Sequence, residues 1–271
     1  MTAEKERKDK LLQQIRTYAQ EDTALAFSGG VDSALLLYLL SQAARDTGKH
    51  VYAVTFQTAL HPQADLAYAR HFAQSVGLDC HVLKVNELED PRILSNPPDR
   101  CYYCKKMLYE KLLEFARERR ISTVLEGSNQ DDLNVYRPGF KAVQELGIAS
   151  PLAQCGITKS QVRQMAGEYG LSCASRPSAP CLATRLPYHT TLDMQLLARI
   201  DEGEQFLKGQ GFDNVRIRVH KDIARIETDP EQFSLLLQKR QEIIRRLQEL
   251  DLPYLTLDLE GFRSGSMDVH L

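Results

Sequence analysis

Strand-like and helix-like patterns alternate early in the chain, and this alternation restricts the fold more than any other feature of the sequence. Short apolar runs at 23–30, 50–57 and 78–85 have the composition of buried strands. Between them, 31–48 and 61–77 carry apolar side chains at helical spacing. Strands joined through helices pair in parallel, because the helix carries the chain back to the end of the sheet where the previous strand began. The pattern predicts an α/β fold in which a parallel sheet carries helices on both faces.

Length, charge and the amino terminus exclude several classes of protein. The 271 residues include 34 Lys and Arg against 36 Asp and Glu, so no overall basic field exists to hold a long nucleic acid. No run approaches the roughly 20 apolar residues that span a bilayer, and the amino terminus is charged rather than apolar. We therefore expect a cytoplasmic protein with no membrane partner. In that reducing compartment the six cysteines are expected to be buried, metal-binding or catalytic.

A stretch rich in proline, serine and cysteine at 172–191 separates two parts of different character. We place a domain boundary within it, which gives an amino-terminal domain at 1–178 and a carboxyl-terminal domain at 179–271. The second part has the patterns of a small α+β unit with two short strands around Lys221–Asp222. Its predicted helix, strand pair, helix and last strand are 192–211, 215–228, 231–251 and 254–259.

A glycine-rich turn follows the first predicted strand and precedes the first predicted helix. It contains Ser28, Gly29, Gly30, Val31, Asp32 and Ser33. Glycines let backbone N–H groups approach an anion, the helix amino terminus adds a positive dipole end, and serine hydroxyls donate hydrogen bonds. Asp32 would repel a phosphate unless a divalent cation lay between them, so the turn predicts a site for ATP with Mg²⁺ on Asp32. An ordinary glycine-rich turn is the alternative.

Six segments of the sequence resemble one family of ATP-dependent enzymes. They are SGGVDS, RCYYCKKMLYEKL, LEGSNQDDLNVYRPG, PCLATRLPY, VRIRVHKDIARIE and LDLEGFRSG, and they extend over nearly the full chain. The first is similar to the loop of the PP-loop ATP pyrophosphatases, and the set is similar to the LarE family within that group. The resemblance implies a PP-loop fold, a homo-oligomer and cleavage of ATP between its α and β phosphates.

The same resemblance implies a reaction. LarE enzymes adenylate the carboxylates of a small molecule, pyridinium-3,5-biscarboxylic acid mononucleotide, and convert them to thiocarboxylates during nickel-pincer cofactor biosynthesis. A sulfur transferase that forms AMP and pyrophosphate and needs a source of sulfide is therefore expected. Three other functions remain open: an iron–sulfur tRNA thiolase, a ligase that uses ammonia, and a module that senses ATP without cleaving it.

Three cysteines are candidates for a metal site. Cys101 and Cys104 form a C-x-x-C pair, which we predict on a loop before a helix at 105–120, and Cys181 stands in the boundary stretch. Three thiolates suit a [4Fe–4S] cluster with one iron left open. An open iron can carry sulfide, which is the nucleophile that a thiolating enzyme requires.

Other interpretations of the cysteines remain. A site without metal is one, and zinc is another, for which the fourth ligand would come from Cys80, Cys155, Cys173 or a histidine. Some LarE proteins have a single cysteine near the position of Cys181 and give up its sulfur, leaving dehydroalanine. Alignment on Arg185, which the resemblance implies to be catalytic, leaves Cys181 one residue from that position and favours the cluster.

Further residues are assigned to the nucleotide. Lys105, beside the cysteines, and Arg137, in the segment NVYRPG, are candidates to neutralise charge that develops on the phosphate or the adenylate. A fourth strand is predicted at 122–128, and Gly127, where its apolar run ends, resembles a glycine that contacts the nucleotide. The alternatives are a solvated cation for each basic residue and a simple turn for the glycine.

Arginines of the second part are candidates for binding a substrate phosphate. Arg216 and Arg218 alternate with apolar residues along a strand, so both lie on one face, and Arg263 follows in the segment GFRSG. An exposed strand face without a ligand is the alternative. Glu204, on the preceding helix, matches a family position that binds metal between subunits, and a solvated glutamate is the alternative there.

Overall fold

The structure is a computed structural model, and it describes residues 3–134, 137–176 and 180–263. The chain divides into two compact units, each built from more than one segment. Unit 1 comprises Met1–Thr58, Gln63–Glu87 and Asp99–Ala179, and unit 2 comprises Ala59–Pro62, Leu88–Pro98 and Pro180–Leu271. The predicted boundary between residues 178 and 179 lies outside the described residues.

Helices and strands alternate over most of the chain. The α-helices are α1 (Ala3–Tyr18), α2 (Val31–Arg45), α3 (Gln63–Ser75), α4 (Pro91–Leu94), α5 (Arg100–Glu118), α6 (Pro138–Glu145), α7 (Pro151–Gln154), α8 (Lys159–Glu168), α9 (Met194–Gly209), α10 (Phe233–Gln238) and α11 (Arg240–Glu249). The strands are β1 (Thr23–Ala26), β2 (Val51–Gln57), β3 (Cys80–Lys84), β4 (Thr123–Leu125), β5 (Val215–His220), β6 (Ile223–Thr228) and β7 (Tyr254–Leu257). Within the described residues, no helix combines the length and the apolar composition needed to cross a membrane.

The sheet of unit 1 has the strand order β3-β2-β1-β4, and all its neighbours pair in parallel. Successive residues of β1 face opposite cores. Leu25 packs with buried residues of α1, α2 and α8, whereas Ala24 and Ala26 pack with those of α5 and α6. Helices therefore cover both faces, and the predicted α/β fold is confirmed.

The order of the strands marks the carboxyl ends of β1 and β4 as the expected ligand position of this sheet. From β1 the chain builds outward through β2 and β3 on one side and returns to place β4 on the other side. The strand order changes direction between β1 and β4, and the carboxyl ends of two such strands are where open α/β sheets bind ligands. The glycine-rich turn follows β1 at this point, and residues 126–129 follow β4.

The sheet of unit 2 is mixed, with β5 antiparallel to β6 and β6 parallel to β7. The turn between β5 and β6 lies at Lys221 and Asp222, and Lys221 has φ +59°. Helix α9 packs closely on β5, since a Cβ atom on Gly203 would lie 2.8 Å from the Ile217 side chain. The smaller α+β unit that the sequence predicts is present.

Among the elements that differ from the predictions are β1, the helix predicted at 231–251, and α1. The first strand ends at Ala26 rather than at residue 30. The single helix predicted at 231–251 is interrupted at Lys239, whose ammonium donates to the backbone and side chain of Gln210 at 2.9 Å. Helix α1 is not predicted, because its fully buried residues are only Leu11 and Ile15, too few to mark an apolar face.

Candidate active site

The glycine-rich turn connects β1 to α2. Gly29 has φ +74°, in the left-handed region that glycine adopts readily, and Gly30 is the N-cap of α2. The Ser28 hydroxyl lies 3.2 Å from the Ser33 hydroxyl and accepts a hydrogen bond from the Gly30 N–H at 3.3 Å. The Ser33 hydroxyl donates to the Gly30 carbonyl at 3.1 Å. The structure thus gathers these residues at a helix amino terminus, an arrangement suited to a phosphate.

Gly127 lies against this turn, directly after β4. A Cβ atom at position 127 would lie 3.0 Å from the backbone nitrogen of Ser33 and 3.3 Å from its Cα. Backbone moves aside less easily than the end of a flexible side chain, so a larger residue at position 127 would press on the start of α2. Contact between Gly127 and a nucleotide stays a prediction.

Asp32, the predicted Mg²⁺ ligand, contacts two side chains that the sequence analysis does not identify. Its Oδ1 accepts a hydrogen bond from Asn129 Nδ2 at 3.1 Å, and its Oδ2 forms an ion pair with Lys159. Asn129 follows β4, and Lys159 is the first residue of α8, after the N-cap Thr158. Asn129 could have been identified from the sequence, because it follows a predicted strand at the carboxyl end of the sheet. The sequence offers no comparable signal for Lys159.

Arg176 ties the glycine-rich turn to α3 and is likewise absent from the sequence predictions. Its guanidinium donates to the Gly29 carbonyl at 2.8 Å and to Asp65 at 2.5 Å. The same group lies 3.9 Å from the centre of the Tyr68 ring. A residue 147 positions away in sequence therefore holds the carbonyl of the glycine that gives the turn its shape.

Lys105 contacts a buried carboxylate at the end of β4. Its Nζ lies 3.0 Å from Glu126 Oε2, and Glu126 also accepts hydrogen bonds from the hydroxyls of Ser128, at 2.9 Å, and Ser150. Burial by itself raises the pKa of Glu126, but the Lys105 charge and these hydrogen bonds outweigh it and hold that pKa below its ordinary value. The charged Glu126 in turn fixes the Lys105 ammonium at the carboxyl end of β4.

Cys101 and Cys104 lie on a helix, and the prediction of a loop is wrong. Helix α5 begins at Arg100, so the cysteines occupy positions i and i+3 of its first turns, which share a face. The helix begins early because Cys104 packs against the core that buries Leu108, one turn later. Cys101 is exposed and Cys104 is half-buried.

Cys181 belongs to unit 2, where it is the N-cap of the 3₁₀ turn Leu182–Arg185. Its carbonyl accepts hydrogen bonds from the Thr184 hydroxyl at 2.9 Å and from Arg185 at 3.4 Å. In the part of the chain that the structure describes, no three His, Cys, Asp or Glu side chains converge on a common metal position. The three-cysteine cluster stays a prediction.

The remaining cysteines, Cys80, Cys155 and Cys173, are poor candidates for reaction or metal binding. Burial raises the pKa of each thiol, which lowers the fraction present as thiolate. Cys155 and Cys173 are part of the larger core of unit 1.

Arg185 and Glu204 form a buried ion pair in unit 2. Arg185 donates to both carboxylate oxygens of Glu204 at 2.8 Å, and the Ile217 N–H donates to the same carboxylate at 2.9 Å. Burial alone would lower the pKa of Arg185, but Glu204 raises it above its ordinary value. Glu204 is 1% exposed, so it is not a solvated glutamate. Its predicted role as a metal ligand would require it to leave Arg185.

Arg216 and Arg218 lie on one face of β5 but have different partners. Arg218 donates to Glu227 at 2.7 Å and to a backbone carbonyl. Arg216 is 5% exposed and stacks on Phe262, whose ring centre lies 4.3 Å from the guanidinium carbon. Burial, reinforced by the charges of Arg185 and Arg218, lowers the pKa of Arg216 to about 10. The charges of Glu227 and Glu204 act on Arg216, but among the described residues it forms no ion pair of its own, so its guanidinium can still pair with an anion.

Two other predicted cations are exposed and paired locally. Arg137 is 61% exposed and lies 3.0 Å from Asp132; Val135 and Tyr136 of its segment fall outside the described residues. Arg263 is 41% exposed and pairs with Glu260, and residues 264–271 of its segment and the tail fall outside the described residues as well. The roles assigned to both arginines stay predictions.

Comparison with known proteins identifies the family. A PP-loop domain matches residues 3–135. The pyridinium-3,5-bisthiocarboxylic acid mononucleotide synthase of Lactiplantibacillus plantarum is 38% identical over 245 residues, which cover 90% of this chain and 88% of the synthase. An uncharacterised protein of Synechocystis is 36% identical over 95% of this chain and 96% of its own length. One from Methanocaldococcus jannaschii is 31% identical over 89% of this chain and 90% of its own length. The chain therefore belongs to the LarE family of PP-loop enzymes and is an ATP-dependent sulfur transferase.

Proposed function

We propose that this protein adenylates a carboxylate of pyridinium-3,5-biscarboxylic acid mononucleotide and replaces the AMP with sulfur, giving a thiocarboxylate. The observation that carries the proposal is the 38% identity to a synthase of the bisthiocarboxylic acid mononucleotide, which extends over 90% of the chain and thus over both units. The phosphate-binding geometry between β1 and α2 supports the ATP step.

In the first step a substrate carboxylate oxygen attacks the α-phosphorus of ATP. The bond from that phosphorus to the bridging oxygen breaks, and pyrophosphate leaves with the electron pair. Backbone N–H groups of Gly29 and Gly30 and the hydroxyls of Ser28 and Ser33 would hold the phosphates. Mg²⁺, when bound, supplies charge neutralisation between the phosphates and Asp32, a side chain of the oxygen type that this cation prefers.

The Lys105 ammonium is placed for the same step by the buried Glu126. It lies on the helix that carries Cys101 and Cys104, one residue beyond the second cysteine. A fixed cation lowers the energy of negative charge that grows on the departing phosphate or on the adenylate. Lys105 thus has a role in adenylation that the neighbouring, exposed Lys106 does not share.

In the second step sulfur attacks the carbonyl carbon of the acyl adenylate, and the bond to the AMP oxygen breaks. We propose that Cys101, Cys104 and Cys181 hold a [4Fe–4S] cluster. Their fit rests on the donor set: three thiols in a chain where burial raises the pKa of the other three, with the first two on one helix face. When bound, the cluster would supply a coordination position for sulfide on its open iron.

The mononucleotide phosphate would be bound in unit 2. Arg216 is the stronger candidate of the two strand arginines, because Arg218 already donates from Nε to Glu227 and from Nη1 to a backbone carbonyl. Arg218 then keeps the surroundings of Arg216 in place and adds a positive charge beside it. Bidentate guanidinium donors match the oxygens of a phosphate.

The test compares anaerobically reconstituted protein with iron-free protein, each given ATP, the mononucleotide and sulfide. We expect repeated turnover only in the iron-loaded sample, with Cys181 intact by mass spectrometry. Single Cys→Ala changes at 101, 104 or 181 should each lose most of the iron, whereas changes at 80, 155 or 173 should not. One turnover in iron-free protein, with dehydroalanine at position 181, would instead establish a sacrificial cysteine.

A further inference from the structure

Lys159 reaches the glycine-rich turn from a fixed position on α8. Its backbone N–H donates to Asp131 Oδ2 at 2.8 Å, and Thr158 and Gln161 form a capping box around it. The side chain, in contrast, is 36% exposed and ends in an ammonium on a flexible four-carbon stem. The backbone of Lys159 is therefore held in place while its charge can move by rotation of the side chain.

Asp32 places a negative charge where the turn is otherwise built for phosphates. It lies in the first turn of α2, and its side chain is 16% exposed. In the structure the Lys159 ammonium neutralises this carboxylate. Among the residues that the structure describes, Asp32 is the carboxylate that this ammonium contacts, so any cation that took Asp32 would leave Lys159 without its counterion.

We propose that Lys159 exchanges partners when the nucleotide binds: it pairs with Asp32 beforehand and with the nucleotide phosphates afterwards. The exchange rests on the proposed binding of Mg²⁺ by Asp32. Before binding, the lysine keeps Asp32 from repelling the incoming phosphates. After binding, its three N–H donors add a second cation to the phosphate site, beside the neutral donors of the turn.

Calorimetric titration with α,β-methylene-ATP, an ATP analogue that cannot be cleaved at the reacting bond, tests the phosphate contact. With Mg²⁺ present, Lys159→Met should weaken binding of the analogue about 10- to 100-fold, the value of a charge-assisted contact. Lys159→Arg should restore most of the affinity, and adenosine should bind both variants as it binds the unmodified protein. Lys8→Met is the matched control, since it removes an exposed lysine that pairs with Glu168 at the other end of α8. Unchanged affinity in Lys159→Met would overturn the proposal.

Titration without Mg²⁺ tests the exchange itself. Asp32→Asn releases Lys159 and removes the repulsion, so this variant should bind the metal-free analogue more tightly than the unmodified protein does. The double variant Asp32→Asn, Lys159→Met should bind the metal-free analogue no more tightly than the unmodified protein does. Tighter binding by the double variant would show that Lys159 does not reach the phosphates. If Mg²⁺ still tightens binding to Asp32→Asn as it does to the unmodified protein, the Asp32 assignment fails, while the Lys159→Met titration still decides the phosphate contact.

Discussion

At the scale of single residues, charge is placed in pairs whose members come from distant parts of the chain. Asp32 and Lys159 are one such pair, Lys105 and Glu126 are a second, and Arg185 with Glu204 is a third. In each pair, one charged side chain is held in place by another, and the sequence around the first does not show that the two meet. Lys159 stands outside every motif of the sequence, so the charge at the glycine-rich turn depends on a residue that only the fold brings there.

Asp32→Ala should abolish release of AMP and pyrophosphate. The change removes the only carboxylate of the glycine-rich turn and with it the proposed Mg²⁺ ligand. The measurement is substrate-stimulated pyrophosphate release, with circular dichroism as the control for folding. Formation of ADP and orthophosphate by the unmodified protein would contradict the assignment of the turn.

Glu126→Gln should change how stability depends on pH. The folded pKa of Glu126 lies below its ordinary value, so its charged form stabilises the fold above the unfolded pKa of about 4.3. That contribution is lost as the pH falls from about 4.3 through the folded pKa. We expect the variant to lose about 1.5–3 kcal/mol at pH 7, the range for hydrogen bonds to a charged group. The loss should shrink in acid.

Urea unfolding at pH 7 and at about pH 3.5 measures this difference. Glu168→Gln is the control. Glu168 forms an ion pair with Lys8 in which the side chains are 43% and 33% exposed, so water can replace the lost contact. An equal loss for Glu126→Gln at both pH values would mean that packing, and not the charge of Glu126, is responsible.

At the scale of elements, the site depends on how closely β4 and α2 approach each other. Gly127→Ala should weaken ATP binding strongly, since the new methyl group would press on the Ser33 backbone nitrogen 3.0 Å away and displace the start of α2. Gly167→Ala, in helix α8 with no atom within 4 Å of the added group, should leave ATP binding unchanged and stabilise the helix slightly. Nucleotide titration of the two variants checks this; equal affinities would show that the contact yields without cost.

At the scale of the whole molecule, the glycine-rich turn and the arginines proposed to bind the substrate belong to different units. Arg216→Ala should therefore raise the KM for the mononucleotide about 10- to 100-fold, the value of a lost charge-assisted contact, without changing ATP affinity. Arg218→Ala should mainly destabilise unit 2, because it breaks a buried ion pair to Glu227. Arg225 still pairs with Glu227 at 3.0 Å, so the loss should fall below the roughly 3–5 kcal/mol of a buried charge left unpaired. Steady-state kinetics and thermal unfolding separate the two effects. Normal KM values for Arg216→Ala would remove the phosphate assignment.

The sequence by itself determined the α/β fold, the nucleotide turn and the family, because alternating periodicity and a contiguous six-residue motif are local properties of the chain. It also indicated Gly127, Arg216 and Arg218 by their positions after or along predicted strands. Only the tertiary structure decided that α5 begins at Arg100, since burial of Cys104 against a core of distant residues extends that helix. The partners Lys159 and Arg176 were likewise decided in three dimensions: ion pairs act through space, and no periodicity records a contact across more than 100 residues.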